Sequence, residues 1–215
     1  MRVTTELVIA RHGEAECNLT NTVGGERGCT GLSPLGRHQA ARLAARLTGE
    51  HAGRPYGVLY SSPRLRAAQT AAVISDVLGL PVAAEPAFRE PDCGTADGQD
   101  WDEVIDRFGG PPQHHPGHAY APGAETWHEA LGRVMSALSR TLAAHEGSRV
   151  VVVGHAETVE AAHCLLLGLV EGSSLSVGFT TDCTGIARWQ RRHTRFGQAF
   201  WALTAHNDTT HLGPG

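Results

Sequence analysis

Leu7-Val8-Ile9-Ala10-Arg11-His12-Gly13-Glu14 is a four-residue apolar run that stops abruptly in a polar cluster. A short continuous apolar run reads as a strand buried on both faces, so the polar cluster falls at the strand's carboxyl end. The pattern recurs twice. Gly57-Val58-Leu59-Tyr60 runs into Ser61-Ser62-Pro63, and Arg149-Val150-Val151-Val152-Val153 runs into Gly154-His155. Helical spacing fills the intervals. Ser33-Pro34 opens a helix, a hydroxyl cap followed by proline in the first turn. Its apolar positions Leu35, Ala40, Leu43, Ala44 and Leu47 lead to an expected stop at Gly49. A second helix passes through Leu65, Val73, Ile74, Val77 and Leu78 to Gly79 and Pro81, before a weak strand at Val82-Ala83-Ala84.

A further helix opens at Glu125-Thr126 with Leu131, Val134, Leu138 and Leu142 on one face, and another follows His155 to about Leu167. Strands alternating with helices predict an α/β fold, a three-layer α/β/α arrangement around a mainly parallel sheet. In such sheets, sites form beyond the carboxyl ends of the strands. The clusters Arg11-His12, Ser61-Ser62-Pro63 and Gly154-His155 are therefore expected to converge on one side. Thr184–Trp189 and Ala199–Leu203 read as a closing hairpin or edge pair. Residues 91–126, rich in proline and glycine, read as a lid-like insertion with a short helix near Trp101–Phe108, within one domain spanning 1–215.

Composition narrows the function classes. The chain has 22 acidic and 18 basic residues and a formal charge of −4, which disfavours broad nucleic-acid binding. All the basic residues are arginine, so any mechanism that needs a lysine is excluded. A GC-rich coding bias explains that usage equally well, and the exclusion holds either way. Five cysteines, an odd number without a Cys-x-x-Cys pair, point away from a disulfide scaffold or closed zinc site and toward a reducing cytoplasm. The longest apolar stretch, Cys164–Val170, is far short of the roughly 20 residues a membrane span requires. No signal peptide is apparent at the start, and no membrane partner is expected. A homodimer is an allowed assembly.

The converging residues suggest phosphoryl chemistry. Arginines such as Arg11 and Arg66 present planar donors that match phosphate oxygens. A neutral imidazole, His12 or His155, is a competent nucleophile near its unperturbed pKa of about 6.5. The other cationic donors would neutralise the equatorial oxygens. A carboxyl group kept protonated near the pocket would then have to protonate the leaving alkoxide.

At this point the residues resemble a known family. Leu7–Glu14, with Asn18 four residues on, is similar to the signature of the histidine phosphatase superfamily, which includes cofactor-dependent phosphoglycerate mutases and many small-molecule phosphatases. The resemblance continues through Leu32-Ser33-Pro34-Leu35-Gly36-Arg37-His38-Gln39-Ala40 and Ser61-Ser62-Pro63-Arg64-Leu65-Arg66-Ala67-Ala68-Gln69-Thr70-Ala71. It extends to Phe88–Gly98 and Val151–His155. Five blocks in order cover the chain to about residue 165. Beyond it, Asn207-Asp208 and His211-Leu212 are similar to the tail of some bacterial members.

The resemblance implies a phosphoglycerate mutase-like fold with His12 as the phosphorylated nucleophile. Arg11, Arg66 and His155 would form the cationic pocket, and Glu90 would be the general acid and then the base. Arg66 rather than Arg64 matches the Arg-Ala-x-x-Thr stretch, which leaves Arg64 as a surface or rim arginine. Asn18, Gly25 and the backbone at Ala156 would add phosphate contacts, with no metal and no cofactor. The chain departs from the family at Ala156, where glycine is common, and at Ala96-Asp97-Gly98 in place of Trp-Glu-Gly. It departs again at Cys29, where many members have aspartate.

These readings make the chain a phosphatase acting on a small phosphate monoester. Mutase-type transfer and a non-catalytic phosphate-binding module are the alternatives. Mutases need cations for a second phosphate, and Arg107 is the only basic residue between Glu90 and Glu125. Neither Cys29 nor Cys93 has a Cys-x5-Arg arrangement, which disfavours a cysteine mechanism. His114, His115 and His118 invite a metal reading, but a mobile lid governing selectivity together with Tyr120 fits their surroundings better. Trp101, Trp127, Trp189 and Trp201 are expected to pack in core or lid rather than to face a ligand.

Overall fold

Strand β1 (Arg2–Arg11) lies near the middle of a six-stranded sheet of order β3-β2-β4-β1-β5-β6. The structure is a computed structural model that describes Met1–Leu169 and Gly178–Gly213; Val170, the last residue of the longest apolar stretch, lies outside the described residues. Strands β2 (Val58–Ser61), β3 (Val82–Ala84) and β4 (Arg149–Gly154) run parallel with β1, while β5 (Ile186–His193) pairs antiparallel with β1 and β6 (Ala199–Asp208) antiparallel with β5. The α/β fold with a mainly parallel sheet is as the sequence predicts. Among the described residues no helix is long and apolar enough to cross a membrane.

Alternation of side chains along each strand builds two cores. Leu7, Ile9, Val150 and Val152 face helices α5 (Trp127–Ala144) and α6 (Ala156–Leu167), together with Leu131, Val134 and Leu138. Val8, Ala10, Val151 and Val153 face α2 (Pro34–Gly53) and α3 (Leu65–Leu78), together with Leu43, Leu47 and Ile74. Burial of each such Leu, Ile or Val contributes about 1.5–3 kcal/mol, so the sheet is held from both sides. The three layers are those read from the sequence.

Two boundaries differ from expectation. Helix α2 continues past Gly49 to Gly53, because Gly49 keeps right-handed backbone on an open face and costs only about 1 kcal/mol there. A glycine stops a helix when it turns left-handed, as Gly79 does after α3 with φ 67°. Strand β1 extends back to Arg2 and the hairpin strands are longer than read. Arg2 pairs with His193, far along the chain, and His193 pairs in turn with Ala199 across the hairpin.

The register brings the site together. Arg11 pairs with Gly154 and Ser61 with Val153, so β1, β2 and β4 end at one level. A short helix α1 (Glu16–Leu19) follows β1. The 91–126 insertion carries α4 (Trp101–Phe108), at the limits predicted. It packs a small core of Val23, Cys93, Ala96 and Val104 with Trp101 and Tyr120, and its Gln99 carbonyl accepts the Val23 N–H at 2.9 Å.

Candidate active site

His12 stands directly beyond β1, its own N–H bonded to the Gly154 carbonyl at 2.9 Å, so two adjacent strand ends place it. Its Nδ1 lies 2.7 Å from the Gly13 carbonyl oxygen. A carbonyl only accepts, so Nδ1 carries the proton and Nε2 keeps its lone pair. Arg66 Nε donates to that Nε2 at 3.1 Å. Burial, then the charges of Arg66 and Arg11, hold the His12 pKa well below the usual imidazole value, against the Gly13 hydrogen bond. The ring is therefore neutral at neutral pH.

Glycine is required beneath this residue. A Cβ on Gly13 would stand 2.4 Å from the Gly36 carbonyl oxygen, and one on Gly36 would stand 1.9 Å from that of Glu14. The start of α2 thus packs directly on the turn after β1. Thr70 Oγ1 accepts the Gly13 N–H at 3.1 Å and donates to the Arg66 carbonyl at 2.8 Å, tying α3 to the same turn.

Arg66, in the first turn of α3, is 3% exposed. Besides His12, it donates to the Gly24 carbonyl at 2.8 Å and to Glu90 Oε1. His155 caps α6 and is 5.2 Å from His12 between ring centroids. Its Nε2 is 2.9 Å from Ser62 Oγ, which accepts the Arg64 N–H at 3.2 Å and so can turn its own proton to His155. That arrangement leaves Nδ1 as a donor, 3.8 Å from Glu90 Oε2. Burial and the neighbouring charges of Arg66, Arg64 and Arg11 keep His155 neutral as well.

Glu90 ends the segment after the 3-10 turn Pro86–Phe88. Burial raises its pKa to about 7, helped by the charge of Glu157 and opposed by Arg66 and Arg64. Near neutral pH it is divided between acid and carboxylate. Arg11 Nε, Arg64 Nε and Nη1, and His155 Nδ1 are buried without a hydrogen-bond partner. Buried donors normally find partners. A cluster of orphaned donors around one carboxyl and one lone-pair nitrogen is a cage for an anion.

The cavity has a volume of about 280 Å³, and its lining includes Arg11, His12, Arg66, Glu90 and His155, the five residues singled out as catalytic. Asn18 and Ala156 also line it. Asn18 Oδ1 accepts the Ala15 N–H at 2.9 Å, which leaves the amide nitrogen as its donor end. Ala156 is the first residue of α6, where backbone N–H groups lack intrahelical acceptors.

Three expectations need correcting. Gly25 is not among the lining residues; the Asp97 carboxylate packs against it and accepts the N–H groups of Arg27 and Gly28, while the adjacent Gly24 lines the pocket. Arg64 is buried, not superficial, with Nε 3.9 Å from Glu90 and Nη1 3.5 Å from Glu26. Trp101 and Trp127 pack as foreseen but also line the cavity, whereas Trp189 belongs to the core and Trp201 packs against it.

His114, His115 and His118 are exposed, and the insertion lines the cavity through Trp101, Pro112, Gln113 and Tyr120. Among the described residues no group of three His, Cys, Asp or Glu is placed to hold a metal ion. The sequence reading missed Cys17, Gln113 and Glu157. The signal for Glu157 was its place two residues beyond His155, in the first turn of a helix that begins at the site. Cys17 and Cys29 are both buried free thiols.

Comparison with known proteins agrees with this geometry. Residues 7–202 match the profile of the Histidine phosphatase superfamily (branch 1). The chain is 26% identical over 209 residues to the uncharacterized phosphatase PhoE of Bacillus subtilis, covering 97% of both proteins. It is 32% identical over 171 residues to a 2,3-bisphosphoglycerate-dependent phosphoglycerate mutase of Methylobacterium sp., covering 76% of this chain and 81% of that one. Phosphoserine phosphatase from Entamoeba histolytica, solved as a mutant with phosphoserine, superposes with a TM-score of 0.75 at 24% identity. The match covers 97% of this chain and 99% of that one, and it shows a shared fold.

Proposed function

Since the chain belongs to branch 1 of the histidine phosphatase superfamily, we propose that it hydrolyses a small phosphate monoester without a metal, through a phosphohistidine on His12. The observation that carries this reading is the His12 imidazole. Its proton is held on Nδ1 by Gly13, and its Nε2 lone pair lies inside a cage of arginine and histidine donors.

The geometry supplies each step. An ester dianion enters the cage and competes with Glu90 for Arg66, the carboxylate's strongest counter-charge. Losing that partner favours the protonated form of Glu90. His12 Nε2 attacks phosphorus; the P–N bond forms as the bond to the ester oxygen breaks. Glu90 gives its proton to the leaving oxygen. Arg11, Arg66 and His155 bind the three equatorial oxygens while charge shifts across them. Glu90, now a carboxylate, then takes a proton from water as the water oxygen bonds to phosphorus and the P–N bond breaks. The proton stays on Nδ1, donated to the Gly13 carbonyl oxygen, throughout.

Hydrolysis is preferred to mutase transfer because, among the described residues, Arg11 and Arg66 are the only arginines in the cavity lining. Arg107, the single basic residue of the insertion, is exposed and turned to Gln99. The test is hydrolysis of an aryl phosphate in excess chelator by wild type and His12→Ala, with a quench for an acid-labile, base-stable phosphoenzyme. Chelator-resistant turnover and a phosphoenzyme in wild type, both lost in His12→Ala, are expected. Undiminished turnover in His12→Ala overturns the assignment.

A further inference from the structure

Beyond the phosphate cage the cavity changes chemistry. Arg11 and Arg66 line it with the two histidines, where the strands end. The lining also holds Trp101 and Tyr120 of the insertion, Trp127 at the start of α5 and Glu157 in the first turn of α6. Among the described residues no further arginine lines it.

Glu157 lines the cavity, and its carboxylate makes no hydrogen bond or ion pair with any described residue. Glu160, one turn further along α6, does not line the cavity. Burial raises the titration of Glu90 and of the Tyr120 hydroxyl, and the charge of Glu157 adds to both. Trp101 and Tyr120 meet at 5.8 Å with planes 87° apart, forming adjacent perpendicular walls.

Such walls discriminate by charge. A carboxylate or second phosphate on the leaving alcohol would meet Glu157 and no compensating cation. A positive group would meet aromatic faces and an unpaired carboxylate, the arrangement that retains ammonium groups by cation–π attraction. The volume of about 280 Å³ lies just under the roughly 300–1,000 Å³ usual for small-molecule sites, so the alcohol must be small. We propose that the preferred substrate is the phosphate ester of a small ammonium alcohol, with Glu157 as counter-charge and Trp101, Tyr120 and Trp127 as the walls around the cation. This rests on the phosphatase reading above.

The test uses matched pairs: choline phosphate against 3,3-dimethylbutyl phosphate, and ethanolamine phosphate against propyl phosphate. 3-Phosphoglycerate serves as the anionic arm and an aryl phosphate as the activity control. In wild type, kcat/KM for each ammonium ester should exceed that of its uncharged isostere by about tenfold or more, from cation–π attraction and one partly exposed charge pair. Glu157→Gln should bring that ratio close to unity, and Glu157→Arg should shift preference to 3-phosphoglycerate. Turnover of the aryl ester with equal or inverted preference in the pairs overturns the inference and leaves the phosphatase reading standing. A ratio untouched by Glu157→Gln overturns the role of Glu157. The same pairs titrated calorimetrically into His12→Ala report the preference without turnover. If the wild type hydrolyses nothing, the phosphatase reading fails, and equal affinities in that titration overturn the inference as well.

Discussion

Replacing Glu90 with glutamine tests the acid–base assignment most sharply, because the structure specifies how the defect changes with pH. Glu90 titrates at about 7, raised by burial against the pull of Arg66. Glutamine keeps a group in place but cannot transfer a proton. Well below pH 7, where the wild-type group is protonated, kcat/KM for an alkyl phosphate should fall about 10²–10⁴-fold, the range of a positioned general acid, or about 2.7–5.4 kcal/mol. Above pH 7 the wild type should itself lose about tenfold per unit as the acid form disappears. The substrate is already the dianion there, since its second pKa is about 6. The variant has no such limb, so the gap should shrink roughly a hundredfold between pH 7 and pH 9. On the acid side, both histidines titrate well below 6.5, so the nucleophile stays neutral through this window. Steady-state kinetics with an alkyl and a nitrophenyl ester provide the assay. The nitrophenyl leaving group needs little protonation and should show a small, nearly pH-independent defect in kcat/KM. A defect equal for both esters, or constant with pH for the alkyl ester, refutes proton donation by Glu90 and reduces it to a partner of Arg66.

Three further outcomes follow from the packing around the site. Glu6 is buried with Arg149 and Arg188 and accepts from Gln190 at 2.7 Å. Glu6→Ala should lower stability by about 3 kcal/mol in urea unfolding, the lower end for a broken buried pair, because Glu50 still meets both arginines. Burial alone would raise the Glu6 pKa, but the bonds from Gln190 and Arg149 and the arginine charges hold it below 4.5. Its contribution is therefore complete above that value and lost as the pH falls through the lower folded value, so Glu6→Ala should flatten the acid side of a stability–pH curve. Asp97→Ala frees the N–H groups of Arg27 and Gly28, held at 2.8 and 2.9 Å, and so loosens the loop whose Gly24 carbonyl braces Arg66. A rise in KM of about tenfold, with a smaller change in kcat, is expected from two charge-assisted bonds whose loss is partly absorbed by water. Gly36→Ala drives a methyl to 1.9 Å from the Glu14 carbonyl and should cost about 1–3 kcal/mol together with most activity, read by unfolding and turnover on the same preparation.

The parts of this protein that its sequence discloses are those decided locally. Apolar runs that end abruptly in polar clusters locate β1, β2 and β4, and the parallel register then aligns Arg11, His12 and His155 without further information. Arg66 and Glu90 follow because each sits in a short segment leaving a strand or its turn. Arg64 shows where this logic stops. Two arginines two residues apart on a helix, at about 100° per residue, would point to nearly opposite sides, so one inside implies one outside. Arg64 is instead the cap of α3, with extended ψ of 134°, and so escapes the helical wheel and turns inward. Gly25 lies off the cavity lining for a different reason: Asp97, some seventy residues on, packs against it and accepts the N–H groups of Arg27 and Gly28. Glu157, Trp101 and Trp127 belong to the same class, since which way they face is set by how α6, α5 and the insertion pack, and periodicity carries no trace of that. Arg11 and His12, proposed to handle phosphate, stand at a strand end, where order along the chain fixes position. The groups proposed to choose the alcohol sit on helix starts and the insertion, where the folded neighbours fix it. The same division explains why a family can be read from five short blocks while the substrate must be sought in the walls of the cavity.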